Sequence, residues 1–190
     1  MLPNLLTVSR VFFIPFIVLC FYMEGFWAHL SATLLFIMAC ITDFFDGYLA
    51  RQWKQVSAFG RFMDPVADKL LVSTTLLMLS GFGVIDGLHL VGASIILARE
   101  IMVSGLREFM SEMQMKVPVT KYAKWKTGMQ MLSITCLLSA HMFPETIAIK
   151  DIGVVTLWLA VIMTVFTGVR YLKFGIVKMA NNNGSLDSQK

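Results

Sequence analysis

Six stretches of this chain run for twelve or more residues without Asp, Glu, Lys or Arg: 11–23, 25–42, 70–85, 87–98, 127–144 and 152–169. A transmembrane helix needs about 20 predominantly apolar residues. Lipid accepts only segments that satisfy their own N–H and C=O groups. The first and fourth runs are short, but each extends across a single charged residue or pair. The runs therefore predict an all-α integral membrane protein of six transmembrane helices, at about 10–27, 28–50, 62–82, 87–108, 122–143 and 151–173. Pro15 is expected to bend the first helix. Such a bundle nearly fills 190 residues. Residues 1–180 read as one membrane domain, and the polar stretch 181–190 as a disordered tail. Composition agrees: 57% of residues are hydrophobic and 15% charged, against about 45–50% and about 25% in soluble domains. A water-soluble globule and a disulfide scaffold are excluded. Cys20, Cys40 and Cys136 lie in apolar stretches at no metal or redox spacing, and read as packing residues. No A-x-A-like site follows the first run, so it reads as a span rather than a cleaved leader.

The basic residues set the direction. Arg10, Arg51, Lys54, Arg61, Arg107, Lys116, Lys121, Lys124, Lys126, Arg170, Lys173, Lys178 and Lys190 fall on one side of the predicted bundle, 13 of the 16 Lys and Arg. Lys150 alone falls on the other side, and Lys69 and Arg99 lie within spans. Basic residues stay cytoplasmic, so both termini are expected there. Lys54, Lys116, Lys173 and Lys178 read as topology signals. The net charge of +4 is concentrated on one face, where anionic lipid or a phosphorylated substrate would meet it.

Four of the 12 acidic residues crowd into 26 positions: Asp43, Asp46, Asp64 and Asp68. A carboxylate at the centre of a span costs about 2.5–3.5 kcal/mol on insertion scales, and four together repel, so something must compensate. The second helix runs toward the cytoplasm and the third away from it, which puts all four at one depth. Asp43 and Asp46 are spaced i,i+3, Asp64 and Asp68 i,i+4, and each pair shares a helix face. Pro65 is tolerated if it lies in the first turn of the third helix. Two facing carboxylate pairs form an oxygen cage suited to Mg²⁺ or Mn²⁺, and to two ions better than one. Gly47 and Gly60 clear space for close approach to the backbone, and Arg51 can bind a phosphate. The competing reading is a salt-bridge network in which Arg51, Arg61 and Lys69 neutralise the four carboxylates.

The stretch Asp43-x₂-Asp46-Gly47-x₂-Ala50-Arg51-x₈-Gly60-x₃-Asp64-x₃-Asp68 resembles the signature of the CDP-alcohol phosphatidyltransferase family, with all eight positions filled. The resemblance implies a six-helix membrane enzyme, usually a homodimer. Such enzymes use two divalent cations to move a phosphatidyl group from a CDP-linked lipid to an alcohol, releasing CMP. It implies metal ligation by Asp43, Asp46, Asp64 and Asp68, with Asp68 also the general base. It places Gly47, Ala50, Arg51, Ser57 and Gly60 against the CDP moiety. It also implies a bacterial inner membrane, with the active site facing the cytoplasm.

The signature does not choose the acceptor. Glu100, Ser104 and Arg107 follow an i, i+4, i+7 spacing on one helix face. Lys124, Lys126 and Thr127 begin the fifth span at the same end, and Arg170 ends the sixth there. Together they suit an acceptor that carries its own phosphate; the plain alternative is snorkelling at the interface. Arg99 is deep enough to pair with Glu100 or a signature carboxylate as readily as with substrate. Further stretches resemble bacterial family members that act on CDP-diacylglycerol and glycerol 3-phosphate: Pro3-Asn4-Leu5-Leu6-Thr7-x₂-Arg10, Ala98-Arg99-Glu100, Ser104-Gly105-Leu106-Arg107 and Lys124-x-Lys126-Thr127-x₂-Gln130. Ala123 departs from the Gly those members often carry. The resemblance implies that Asn4 and Thr7 line the nucleotide site, although Asn4 equally suits a helix cap. Phosphatidylglycerol and inositol phosphate are the other acceptors considered. An ion-coupled transporter is the reading from another class, since intramembrane carboxylates also mark transport paths.

His29, His89 and His141 fall at the opposite ends of their spans and read as interfacial. Trp27, Trp53 and Trp125 suit interface positions, and Trp158 reads as packing. Gly92, Ala93, Gly105 and Gly128 are candidates for close helix contacts or a dimer interface.

Overall fold

The computed structural model describes the backbone of residues 2–53, 58–113, 121–140, 142 and 147–187. It describes the side chains of 9–43, 60, 63, 65–113, 125–140, 142 and 148–178. Among these residues every regular element is an α-helix: α1 Leu2–Phe21, α2 Phe26–Trp53, α3 Ala58–Gly81, α4 Leu88–Glu112, α5 Lys121–Ala140 and α6 Ile147–Asp187.

Six helices were expected, and their limits differ in instructive ways. α1 begins at Leu2 and stops at Phe21, not at 10 and 27. Pro3 is tolerated in its first turn. α1 closes in a turn at Tyr22 and Met23, and Gly25, at φ +105°, a conformation that L side chains rarely adopt, leads into α2 with its carbonyl accepting from the Ala28 and His29 N–H groups. Asn4 therefore lies inside α1 rather than capping it. Pro15 lies inside α1 as expected. α3 begins at Ala58, so Pro65 lies inside the helix and not in its first turn. Its missing N–H removes one helical bond, which helices in lipid accommodate. α6 runs as helix to Asp187, taking in part of the polar stretch from Asn181.

α5 and α6 share the most extensive contact; α1 packs on α2 and α3, α4 packs on α6, and α5 also meets α2 and α3. Three helices among the described residues carry segments long and apolar enough to cross a membrane: Phe26–Asp43, Leu88–Glu112 and Ala148–Lys178. Ser9–Phe21 is a shorter apolar helix.

The packing is of the kind that suits an apolar surrounding. Large apolar side chains face outward, among them Phe12, Leu77, Ile101 and Ile162. α6 turns inward a stripe of smaller and polar residues, Gly153, Thr156, Ala160, Thr164, Thr167 and Gly168, at helical spacing. Lipid tails are as apolar as Leu, so helix association there relies on close van der Waals fit and interhelical hydrogen bonds. Gly153 supplies both. A Cβ there would stand 2.9 Å from Leu137 Cγ, and its carbonyl accepts a 2.8 Å bond from the buried Ser133 hydroxyl on α5. Gly92 gives α4 and α6 the close fit alone, with a Cβ position 3.3 Å from Val161. Gly105 and Gly128, also candidates for close contact, face open space.

The described cysteines are free, with Cys20 in the core. His89 and His29 lie at the bundle end away from Asp43. His89 Nδ1 accepts a 3.0 Å bond from Trp158 Nε1, so Trp158 is anchored as well as packed. His29 lines a small pocket with Cys20, Phe21, Ala32, Leu79 and Leu138. Trp27 and Trp125 are exposed, as interfacial residues should be. His141 and the Trp53 side chain lie outside the described residues.

Candidate active site

The carboxylate pattern spans the C-terminal part of α2 and the N-terminal part of α3. Asp43 and Asp68 have described side chains. Asp46, Gly47, Ala50 and Arg51 lie in α2 and Asp64 in α3, with side chains outside the described residues. The side chains of Asn4 and Thr7 in α1 and Lys124 in α5 lie outside them too, and so does Ser57 entirely.

The described part shows why antiparallel neighbours matter. Asp43 is half-buried, and its Oδ1 accepts an ion-paired bond from Arg10 on α1. Arg10 is 1% exposed. Spacing had made Arg10 a topology signal. Among the described residues it is also a cation that answers a signature carboxylate, while Lys69 donates to Ser104; the side chains of Arg51 and Arg61, named in the competing salt-bridge reading, lie outside those residues. Asp68 feels repulsion from Asp43 and Glu100 and attraction from Lys126 and Arg10. Residues from α1 to α5 therefore act on one carboxylate. Gly60 is buried nearby in sequence, on the first turn of α3.

α4 carries a second group. Glu100 Oε1 accepts from Lys126 Nζ on α5 and, at 3.3 Å, from Arg99. Arg99 also donates to Thr167 Oγ1 on α6 at 2.9 Å. Arg99 is 8% exposed and Lys126 4%. Two buried cations sharing a carboxylate are far cheaper to hold than two unpaired ones. Of the partners open to Arg99, Glu100 is the carboxylate it meets among the described residues. One turn on, Ser104 accepts from Lys69 of α3. Arg107 donates to Tyr171 Oη at 2.8 Å, with its guanidinium carbon 4.9 Å from the ring centroid. The face predicted for Glu100, Ser104 and Arg107 therefore meets α5, α3 and α6 in turn. Arg170 lies over Phe166, 5.6 Å from that ring's centroid, and both are exposed. Thr127 is half-buried beside Lys126.

Sequence reasoning missed Arg10, Thr167, Gly168 and Tyr171 as members of this cluster. The last three had a legible signal: they continue the polar and small stripe of α6 at helical spacing.

Asp43 and Asp68 bring hard oxygen donors from two helices to the same end of the bundle, which suits Mg²⁺ or Mn²⁺. Among the described residues no three potential metal ligands come together. Asp46 and Asp64, the other two candidates, lie outside that description.

The family model described as CDP-alcohol phosphatidyltransferase matches residues 1–166. A Rickettsia felis protein named CDP-diacylglycerol--glycerol-3-phosphate 3-phosphatidyltransferase is 42% identical over 172 residues, covering 90% of this chain and 93% of its own. A Pectobacterium atrosepticum protein of that name is 43% identical over 173 residues, at 90% and 92% coverage. One from Haemophilus influenzae is 37% identical over 187 residues, at 95% and 96%.

Proposed function

This chain belongs to the CDP-alcohol phosphatidyltransferase family, and we propose that it transfers the phosphatidyl group of CDP-diacylglycerol to sn-glycerol 3-phosphate, giving phosphatidylglycerophosphate and CMP. The observation that carries this reading is local. Signature carboxylates Asp43 and Asp68 adjoin a set of cations, Arg99, Arg107 and Lys126, that meets them through the attraction between Lys126 and Asp68. A donor with a pyrophosphate and an acceptor with its own phosphate need two such regions side by side. The names of the relatives agree with that pair of substrates.

Asp43, Asp46, Asp64 and Asp68 would hold two divalent cations, Mg²⁺ or Mn²⁺. When bound, such a pair supplies charge stabilisation to an in-line displacement at phosphorus. Asp68 takes the proton of the attacking glycerol hydroxyl. That oxygen bonds to the phosphorus bearing diacylglycerol, the bond from this phosphorus to the bridging oxygen breaks, and CMP leaves with that oxygen. Gly47, Ala50, Arg51, Ser57 and Gly60 receive the CDP moiety, with Asn4 and Thr7 at its edge. Arg99, Arg107, Lys124, Lys126, Thr127 and Arg170 serve the acceptor's phosphate. Charge-assisted bonds of this kind are roughly twice as strong as neutral ones.

In this reading all six helices span a bacterial inner membrane. Residues 1–180 form one domain, 181–190 a polar tail, and the chain is a homodimer. Both termini and the site face the cytoplasm. The diacyl chains then stay in the bilayer while nucleotide and acceptor come from water. The test is CMP release by the purified chain with CDP-diacylglycerol and, in turn, glycerol 3-phosphate, inositol phosphate and phosphatidylglycerol. Turnover with glycerol 3-phosphate alone is expected; turnover only with another acceptor would reject it.

A further inference from the structure

We infer that Tyr171, on α6, is a positioning residue that sets the Arg107 guanidinium for the acceptor's phosphate. The inference rests on the acceptor reading above and deepens it.

An arginine near the end of a spanning helix ordinarily extends its head toward water, free to sample many rotamers. Arg107 is held twice by one ring instead. It donates to Tyr171 Oη at 2.8 Å, and its guanidinium carbon stands 4.9 Å from the ring centroid. The hydrogen bond sets a distance and the ring contact a direction. Tyr171 is 5% exposed, so its ring is fixed by packing and cannot follow a swinging side chain.

α6 is shaped for this hold. One turn before Tyr171, Gly168 leaves room for Arg99, whose Cγ stands 3.1 Å from where a Cβ would be. One turn after it, Gly175 admits Leu106, the neighbour of Arg107, at 2.9 Å by the same measure. The two glycines bring α4 close on both sides of the ring, while Thr167 anchors Arg99. Arg107 and Arg99 act on one another as like charges, so without a fixed support Arg107 would be driven away from Arg99. The bond to Tyr171 uses one of the five guanidinium N–H groups, and the planar fork that remains suits a phosphate.

The test is steady-state CMP release by detergent-solubilised full-length protein, varying glycerol 3-phosphate and CDP-diacylglycerol separately. Tyr171→Phe keeps the ring and removes the hydroxyl. It should raise the KM for glycerol 3-phosphate about threefold. Tyr171→Leu removes both contacts and should raise it about tenfold. The KM for CDP-diacylglycerol should stay within about twofold in Tyr171→Phe, since the donor site lies across α2 and α3. An unchanged acceptor KM in Tyr171→Phe and Tyr171→Leu overturns the inference and leaves the proposed reaction standing. Equal rises in both KM values, with a lowered melting temperature, overturn it in favour of a purely structural role. Should Tyr171→Leu fail to fold, Tyr171→Phe decides alone. A wild-type chain with no glycerol 3-phosphate turnover would remove the reaction, and the inference with it.

Discussion

Arg10 on α1 and Asp43 on α2 are 33 positions apart in sequence and joined by an ion pair, with Arg10 almost wholly enclosed. The pair ties the first helix to the carboxylate pattern and sets a positive charge that attracts both Asp43 and Asp68, which repel one another. Removing Arg10 leaves the half-buried Asp43 without this cation and lets it repel Asp68 more strongly. Arg10→Gln should therefore lower the thermal unfolding midpoint in detergent and cut CMP release at least about tenfold. Wild-type melting and activity would show the pair to be incidental.

Asp68→Asn keeps the shape of the side chain and removes its basicity. General-base catalysis contributes about 10²–10⁴-fold, so turnover should fall at least about a hundredfold while CDP-diacylglycerol binding, followed by calorimetry, persists. Retained turnover would move the base elsewhere.

Chelation by EDTA should stop CMP release, and added Mg²⁺ or Mn²⁺ should restore it. A ligand that binds the folded chain stabilises it by mass action. Adding Mn²⁺ to the chelated protein should therefore also raise the melting temperature, a readout independent of catalysis.

Glu100 is shared by Lys126 and Arg99. Glu100→Gln and Lys126→Met should each raise the KM for glycerol 3-phosphate, by about tenfold for Lys126→Met. Because both changes break one contact, the double variant should lose less than the sum of the two in free energy. Strict additivity would mean that Glu100 does not act through Lys126.

Gly153→Val tests the fit of α5 on α6. Its Cβ would meet Leu137 at 2.9 Å, and overpacking of this kind costs about 1–3 kcal/mol. A clear drop in melting temperature is expected. Gly105→Ala, which enters open space, should leave the midpoint unchanged or raise it, because Ala favours helix over Gly by about 1 kcal/mol.

Much of this molecule was legible in its sequence. The charge-free runs predicted six helices, and the carboxylate spacing singled out Asp43 and Asp68, which the fold brings within electrostatic reach of one another. The helix limits were less legible. α1 ends at Phe21, although the apolar run continues to Met23. The site was legible as a list and not as a set of contacts. Arg10 looked like a topology charge, Tyr171 was not singled out, and Gly105 and Gly128 looked as able to pack as Gly153.

The division has a physical cause. Lipid acts on each segment separately, demanding apolar side chains and internally bonded backbone, and a run of carboxylates is costly wherever it falls. The sequence by itself therefore determined the all-helical, apolar class and the crowding of carboxylates at the ends of two helices. Helical spacing states which residues share a face, but it does not state which neighbouring helix that face meets. Only the packing of α4 and α5 on α6, and of α1 on α2 and α3, decided the rest. It decided that Arg10 answers Asp43, that Glu100 joins Arg99 to Lys126, and that Tyr171 holds Arg107.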